Sequence, residues 1–276
     1  MFIWLASYPK SGNTWLRVLL ESLKKGGAAV DINALSMACP QAAMREPFDN
    51  ALGVSSSDLT ITEIDFARPF TLALEASESP RLLYRKVHDA WRCNVEGLEL
   101  FPKNLTHTAF YVVRDPRDVA VSSAHHSGVS IDRTIAYMAD DTCTLSASGK
   151  SLSHNLPQIL LSWSRHVESW LDQSGQSPLL LRYEDMLVNP VASARAVCER
   201  LGWAVDETLL QSAVSHTRFD RLAGQEKIAG FSERAATDRP FFREGKAGGW
   251  KDRLSRGQIQ RVERDHGTVM TRLGYL

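Results

Sequence analysis

The chain has 276 residues, enough for one large domain with a buried core, and its 32 basic and 32 acidic side chains cancel at a pI near 7.1. That balance excludes a global field able to gather nucleic acid or an anionic membrane, so any polyanion site must be local. Cys39, Cys93, Cys143 and Cys198 form no CxxC pair, which reads as reduced thiols of a cytosolic protein rather than a zinc set. The leading "MFIWLA" is too short for a signal peptide, and no stretch of about 18 apolar residues occurs, so a cytoplasmic protein without a membrane partner is expected.

In chain order, "FIWLA" (2–6) reads as a strand, the loop "SYPKSGNTW" follows, and a helix begins at once with Leu16, Leu19, Leu20 and Leu23 on one face. Residues 27–60, rich in Ala, Ser and Pro, carry no clear period. "RLLYRKV" (81–87) and "TAFYVV" (108–113) read as further strands, residues 127–155 are Ser-rich and polar, "ILLSWSRHVESWL" (159–171) repeats its apolar positions near the helical period, and "PLLLR" (178–182) is a fourth strand. Most of these strands are continuous apolar runs, as strands buried on both faces of a parallel sheet are. Alternation of strand and helix predicts a single α/β domain over 1–276, with a central, mostly parallel sheet and helices on both faces. The irregular segments suit lids or binding loops.

A loop that leaves a buried parallel strand and enters a helix gathers unpaired N–H groups at the positive end of the helix dipole, where phosphate binds. Here Pro9 fixes one backbone angle, Gly12 permits close approach, Ser11, Asn13 and Thr14 are short and polar, and Lys10 is a cation on a mobile stem. The lysine precedes the glycine, so this is not a Walker A loop. The third strand repeats the layout: Arg114, then Asp115 and Pro116 as helix-start residues, then Ser122 about two turns in. An arginine fork with a hydroxyl suits a phosphate monoester, and an ion pair of Arg114 with Asp118 is the alternative. The remaining strand ends deliver Tyr183 with Glu184 and Asp185, and Lys86 with His88. A histidine after a strand is commonly structural, yet four strands feeding one edge make a ligand crevice. From Arg218 to Arg264 the chain carries 12 basic against 7 acidic residues.

Six ordered blocks then resemble the cytosolic-type sulfotransferases, which use 3′-phosphoadenosine 5′-phosphosulfate (PAPS): "YPKSGNTW", "KVH", "VVRDPRDVAVSS", "RYEDM", "SHTRFD" and "FFREGKAGGWKDRL". The resemblance implies a P-loop-like fold in which Lys10, Ser11, Gly12, Asn13 and Thr14 hold the 5′-phosphate and Arg114 with Ser122 holds the 3′-phosphate. It implies that Trp15, Tyr183 and Phe219 stack on adenine, that Thr217 bonds the base edge, and that the late loop Phe242, Arg243, Glu244 and Gly245 closes over the 3′-phosphate. In-line sulfuryl transfer would use His88 as general base, Lys10 at the bridging oxygen and Lys86 at the sulfuryl oxygens, without a metal. The acceptor would be a soluble small molecule bearing a hydroxyl or, second, an amine, covered by 27–60, 127–155 and 220–240.

Three departures qualify the resemblance. The family's "RKG" reads "REG", so Glu244 stands where a phosphate-binding lysine is common; "GDWK" reads "GGWK"; and no KTVE-like dimer motif is clear, which leaves a homodimer open. A P-loop phosphotransferase of the nucleoside-phosphate kinase type would require the missing GK[ST] signature. A non-catalytic nucleotide-binding module would not require both Lys10 and His88.

Overall fold

The computed structural model describes residues 1–147, 152–204, 206–234 and 238–276. In chain order the elements are β1 (Phe2–Ser7), α1 (Asn13–Lys24), α2 (Leu35–Ala38), α3 (Arg45–Leu52), α4 (Ile61–Glu78), β2 (Leu83–Val87), β3 (Thr106–Val113), α5 (Pro116–Ser127), α6 (Ile131–Met138), β4 (Thr144–Leu145), β5 (Gln158–Ile159), α7 (Trp163–Glu168), β6 (Leu179–Arg182), α8 (Tyr183–Val188), α9 (Pro190–Leu201), α10 (Glu207–His216), α11 (Phe219–Ala229) and α12 (Arg256–Arg272). The architecture is mixed α/β, with a central four-stranded sheet in the order β2-β1-β3-β6 and a separate β4-β5 ribbon. β1 and β2 are parallel, with Phe2 opposite Leu83 and Ala6 opposite Val87. All six residues of β1 are buried, which is why its sequence is an unbroken apolar run rather than an alternation.

By contacts the chain divides into two compact units, one comprising 1–8, 39–111 and 140–178, the other 9–38, 112–139 and 179–276. In the first unit, α4 starts at a capping box in which Thr60 N donates to Glu63 Oε2 at 2.7 Å and Glu63 N donates to Thr60 Oγ1 at 3.3 Å. In the second, α1 buries Leu16, Leu19, Leu20 and Leu23, each contributing about 2 kcal/mol by area. α5 begins where Asp115 Oδ1 accepts from Arg117 N at 2.9 Å with Pro116 next, and ends at Gly128, whose φ of 68° lets the chain leave the helix.

Two expectations need correction. The helix expected over 159–171 begins only at Trp163: Ser162 caps it, Leu161 takes a φ of 61° that no helix accommodates, and Gln158–Ile159 is strand β5. The helix then runs on into a π-helical turn, Ser169–Gln173. The segments expected to be irregular contain helix: α2 and α3 within 27–60, α6 within 127–155, and most of α11 within 220–240. Their short, locally capped helices have too little periodic apolar surface to be read from the sequence. Residues 148–151 and 235–237 of those segments lie outside the described residues.

Candidate nucleotide and transfer site

The second unit contains the loop that follows β1. Gly12 is the N-cap of α1 with φ 112°, and a β-carbon there would stand 2.7 Å from Tyr183 Cδ2. Only a glycine lets the backbone pass so close to that ring at such a φ. Lys10 also has a positive φ, 68°, and its Nζ lies 3.8 Å from the centroid of the Phe241 ring. The mobile cation inferred from sequence is thus seated on an aromatic face. Ser11, Asn13 and Thr14 are buried, and the Ser11 hydroxyl oxygen has no hydrogen-bond partner among the described residues. A buried hydroxyl beside the first N–H groups of a helix is a donor set for an anion.

Tyr183, the first residue of α8, organises the same region. Trp15 meets it edge-on at 5.9 Å and 75°, and the Arg114 guanidinium lies 4.4 Å over its ring. Arg114 Nη2 donates to the Lys246 carbonyl at 3.0 Å and stands 3.6 Å from Asp118 Oδ2, the ion pair weighed as an alternative. Asp118 does more than balance that charge. Its Oδ2 accepts from Gly248 N at 2.7 Å and its Oδ1 from Trp250 N at 3.0 Å, so one carboxylate ties the start of α5 to the late loop. Ser122 is half-buried on α5.

The late loop is held from two sides. Glu226, 5% exposed on α11, accepts from Phe241 N at 2.7 Å and from Phe242 N at 2.9 Å. Glu244 is surrounded by cations: Arg253 Nη2 at 3.1 Å, Arg243 Nε at 3.4 Å and Lys246 Nζ at 3.7 Å. Its charge is therefore balanced locally, which answers how an anion is tolerated at this position. Gly245 has φ 61°, and the Phe219 ring occupies the space a β-carbon would need. Phe219 and Phe242 pack edge-on at 6.5 Å. The Thr217 hydroxyl donates to Val214 O at 3.1 Å within its own helix end, so that donor is committed to local structure.

The first unit contains Lys86 and His88. Lys86 is half-buried on β2, where its N–H donates to Pro40 O at 3.0 Å and its carbonyl accepts from Ala42 N at 2.9 Å. His88 Nδ1 lies 2.9 Å from the Ser7 carbonyl oxygen and 3.4 Å from Ser7 Oγ. A carbonyl can only accept, so the neutral ring carries its proton on Nδ1 and its lone pair on Nε2, the tautomer a general base needs. The next residues are pinned in turn. Asp89 receives a buried bidentate pair from Arg68 at 3.0 and 2.9 Å, its carbonyl accepts from Trp170 Nε1 at 3.0 Å, and Ala90 N donates to Ile159 O at 2.8 Å. A cavity of about 330 Å³ opens between the 40–51 segment, α4 and Arg85, with Gln41, Met44, Phe48 and Leu72 in its walls; Lys86 and His88 are not among them.

Sequence reasoning missed Phe241, Glu226, Tyr8, Tyr111 and His166. The available signal was a polar group inside an apolar run, as Tyr111 is in β3 and His166 in the α7 pattern, since a buried polar atom requires a partner.

The loop between β1 and α1 thus carries Lys10, and the turn after β3 carries Arg114 beside a second polar cluster. The sulfotransferase domain family matches residues 2–274, and the chain belongs to it. Sulfotransferase 1A1 of Rattus norvegicus is 27% identical over 281 residues, covering 97% of this chain and 84% of its own. Sulfotransferase 1C2 of Oryctolagus cuniculus is 26% identical, covering 94% and 79%. Among solved structures, retinol dehydratase in complex with androsterone and the inactive cofactor PAP superposes with a TM-score of 0.65 at 19% identity, covering 98% of this chain and 80% of that one. A mouse sulfotransferase complexed with PAP superposes at 0.60 and 19%, covering 98% and 84%. These solved structures share the fold.

Proposed function

We propose that this sulfotransferase carries out in-line transfer from PAPS to a hydroxyl on a small soluble acceptor, in the cytoplasm, with His88 as base and Lys10 at the breaking bond. PAPS supplies an activated sulfuryl group. The residues present fit it: a helix N-terminus led by Gly12 and the buried Ser11 hydroxyl are donors, and the Arg114 fork, balanced by Asp118 at 3.6 Å, adds a cation. Ser11 to Thr14 orient the 5′-phosphate, Arg114 with Ser122 holds the 3′-phosphate, and Trp15, Tyr183 and Phe219 offer faces to the base. Arg243 and Gly245, with Phe242 behind them, border the 3′-phosphate, and Glu244 sets the spacing of the cations around it.

In the transfer step the acceptor O–H bond breaks, its proton passes to His88 Nε2, and the new O–S bond forms as the sulfur–bridging-oxygen bond breaks. Lys10 stabilises the charge left on the bridging phosphate oxygen, and Lys86 that on the sulfuryl oxygens. The products are a sulfate ester and adenosine 3′,5′-bisphosphate. The single observation that carries the reading is the Nδ1–H of His88 held by Ser7 O, because it puts the lone pair on Nε2, the nitrogen assigned to take the acceptor's proton. Transfer from labelled PAPS to a panel of phenols, alcohols and amines tests it. His88→Ala should lower transfer by roughly 10²- to 10⁴-fold and leave bisphosphate affinity intact; full activity would remove His88 from the role.

A further inference from the structure

The corner that holds His88 is a ring of polar contacts. The His88 Nδ1–H donates to the Ser7 carbonyl at 2.9 Å. The backbone of Tyr8, in the same peptide unit, is in polar contact with the Tyr111 phenol. The Tyr111 hydroxyl lies 2.7 Å from His166 Nδ1, and His166 Nε2 lies 3.0 Å from the carbonyl oxygen of His88, where the ring closes. The four participants come from the end of β1, the loop after β2, the middle of β3 and α7.

The ring can run in one sense only. The His88 carbonyl only accepts, so His166 must carry its proton on Nε2. Neutral His166 then accepts at Nδ1, so the Tyr111 hydroxyl must donate to it. The phenol oxygen is left facing the Tyr8 backbone, and the Ser7 carbonyl is left to take the His88 proton. Aligned donors in a dry site polarise one another. The site is dry: Tyr111 and His166 are 0% exposed and Tyr8 is 4% exposed, with the Tyr8 ring edge-on to His166 at 5.4 Å. Burial also lowers the His166 pKa to about 4, which keeps that ring neutral at working pH.

We propose that Tyr111 and His166 are positioning residues for the transfer reaction: they fix the tautomer and the aim of the His88 ring, so that Nε2 is the basic nitrogen. Neither touches a substrate in this assignment; both act through the Ser7–Tyr8 peptide and the His88 backbone. An isolated imidazole exchanges freely between tautomers, and these contacts remove that freedom. The inference rests on the reading of His88 as the base.

The test uses the full chain labelled with ¹⁵N-histidine, and long-range ¹⁵N–¹H correlation of the His88 ring. The wild type should show Nδ1–H alone. In Tyr111→Phe and in His166→Leu, His88 should show both tautomers, and kcat should fall by about tenfold while the affinity for adenosine 3′,5′-bisphosphate stays within about twofold. His166→Gln should restore most of the loss, because its amide nitrogen can donate to His88 O and its oxygen can accept from Tyr111. An unchanged His88 tautomer in both disruptive variants overturns the proposal, and so does a glutamine variant no better than leucine. Should His166→Leu fail to fold, Tyr111→Phe, smaller by one oxygen, carries the same measurement. His88→Ala in the same assay separates the two readings: full transfer there would refute the base, whereas the tautomer spectrum judges the positioning by itself.

Discussion

The loop after β1 and the corner around His88 solve different problems with different means. The loop, Lys10 to Trp15, in the role proposed for it, would bind through what a short stretch of chain does by itself: a glycine at φ 112° turns the backbone, and a helix starts on the next residue. The His88 corner depends on groups from four segments of the chain, and removing any one leaves a buried donor or acceptor unpaired. An anion site is tolerant because several equivalent N–H groups point the same way. A general base is intolerant, because one proton on the wrong nitrogen inactivates it.

That contrast can be broken, and the largest effect should come from the cation at the loop. Lys10→Ala should lower kcat by about a hundredfold while weakening the bisphosphate product complex several times less, since the ammonium acts on charge that develops only during transfer. Equal losses in kcat and in product affinity would make Lys10 a binding residue alone. Arg114→Ala removes a charged fork, so affinity for a 3′-phosphorylated nucleotide should drop by about 10- to 100-fold relative to adenosine 5′-phosphate. Titration calorimetry with the two nucleotides checks it, and an unchanged preference would sink the assignment.

Gly12→Ala tests the tolerant region where it is least tolerant. The new methyl group meets Tyr183 at 2.7 Å and the φ of 112° is strained for alanine, so the variant should lose about 1 to 3 kcal/mol of stability together with nucleotide affinity. A thermal scan and a binding isotherm that both match the wild type would contradict the close approach.

The smallest effect concerns pH. Burial holds the His166 pKa at about 4 in the folded state, below its unfolded value near 6.5, so the unfolded chain binds more protons between these values. Stability from this group is present above pH 6.5 and is lost as pH falls toward 4, with a ceiling of roughly 3 kcal/mol. The titratable neighbours are the Tyr111 phenol, bonded to His166, and Tyr8, whose phenol burial raises and which Asp140 and Cys143 also influence. Denaturation midpoints for wild type and His166→Gln, which keeps both hydrogen bonds without titrating, should separate as pH falls through that window, the wild type losing more. Parallel curves would show that His166 is not the titrating group.

The four strands of the main sheet were legible because strands buried on both faces leave continuous apolar runs, and their polar ends stood out against them. The helix at α7 was placed too early because periodicity does not register a cap: Ser162 and the positive φ of Leu161 stop a pattern that the apolar residues alone would continue. Phe241 under Lys10, Glu226 beneath the late loop and Asp118 across it were not legible, because each bonds to a partner far along the chain. Glu244 looked like a defect in the sequence, and its three surrounding cations show why it is accommodated.

The sequence by itself determined the α/β frame and the strand–loop–helix start of the chain, because each is written in neighbouring residues through backbone sterics and apolar runs, and its ordered blocks carried the resemblance to sulfotransferases. Only the tertiary structure decided which nitrogen of His88 carries the proton. That choice is made by the carbonyl of residue 7. Hydrogen-bond direction is a property of groups in contact, and no local pattern encodes it.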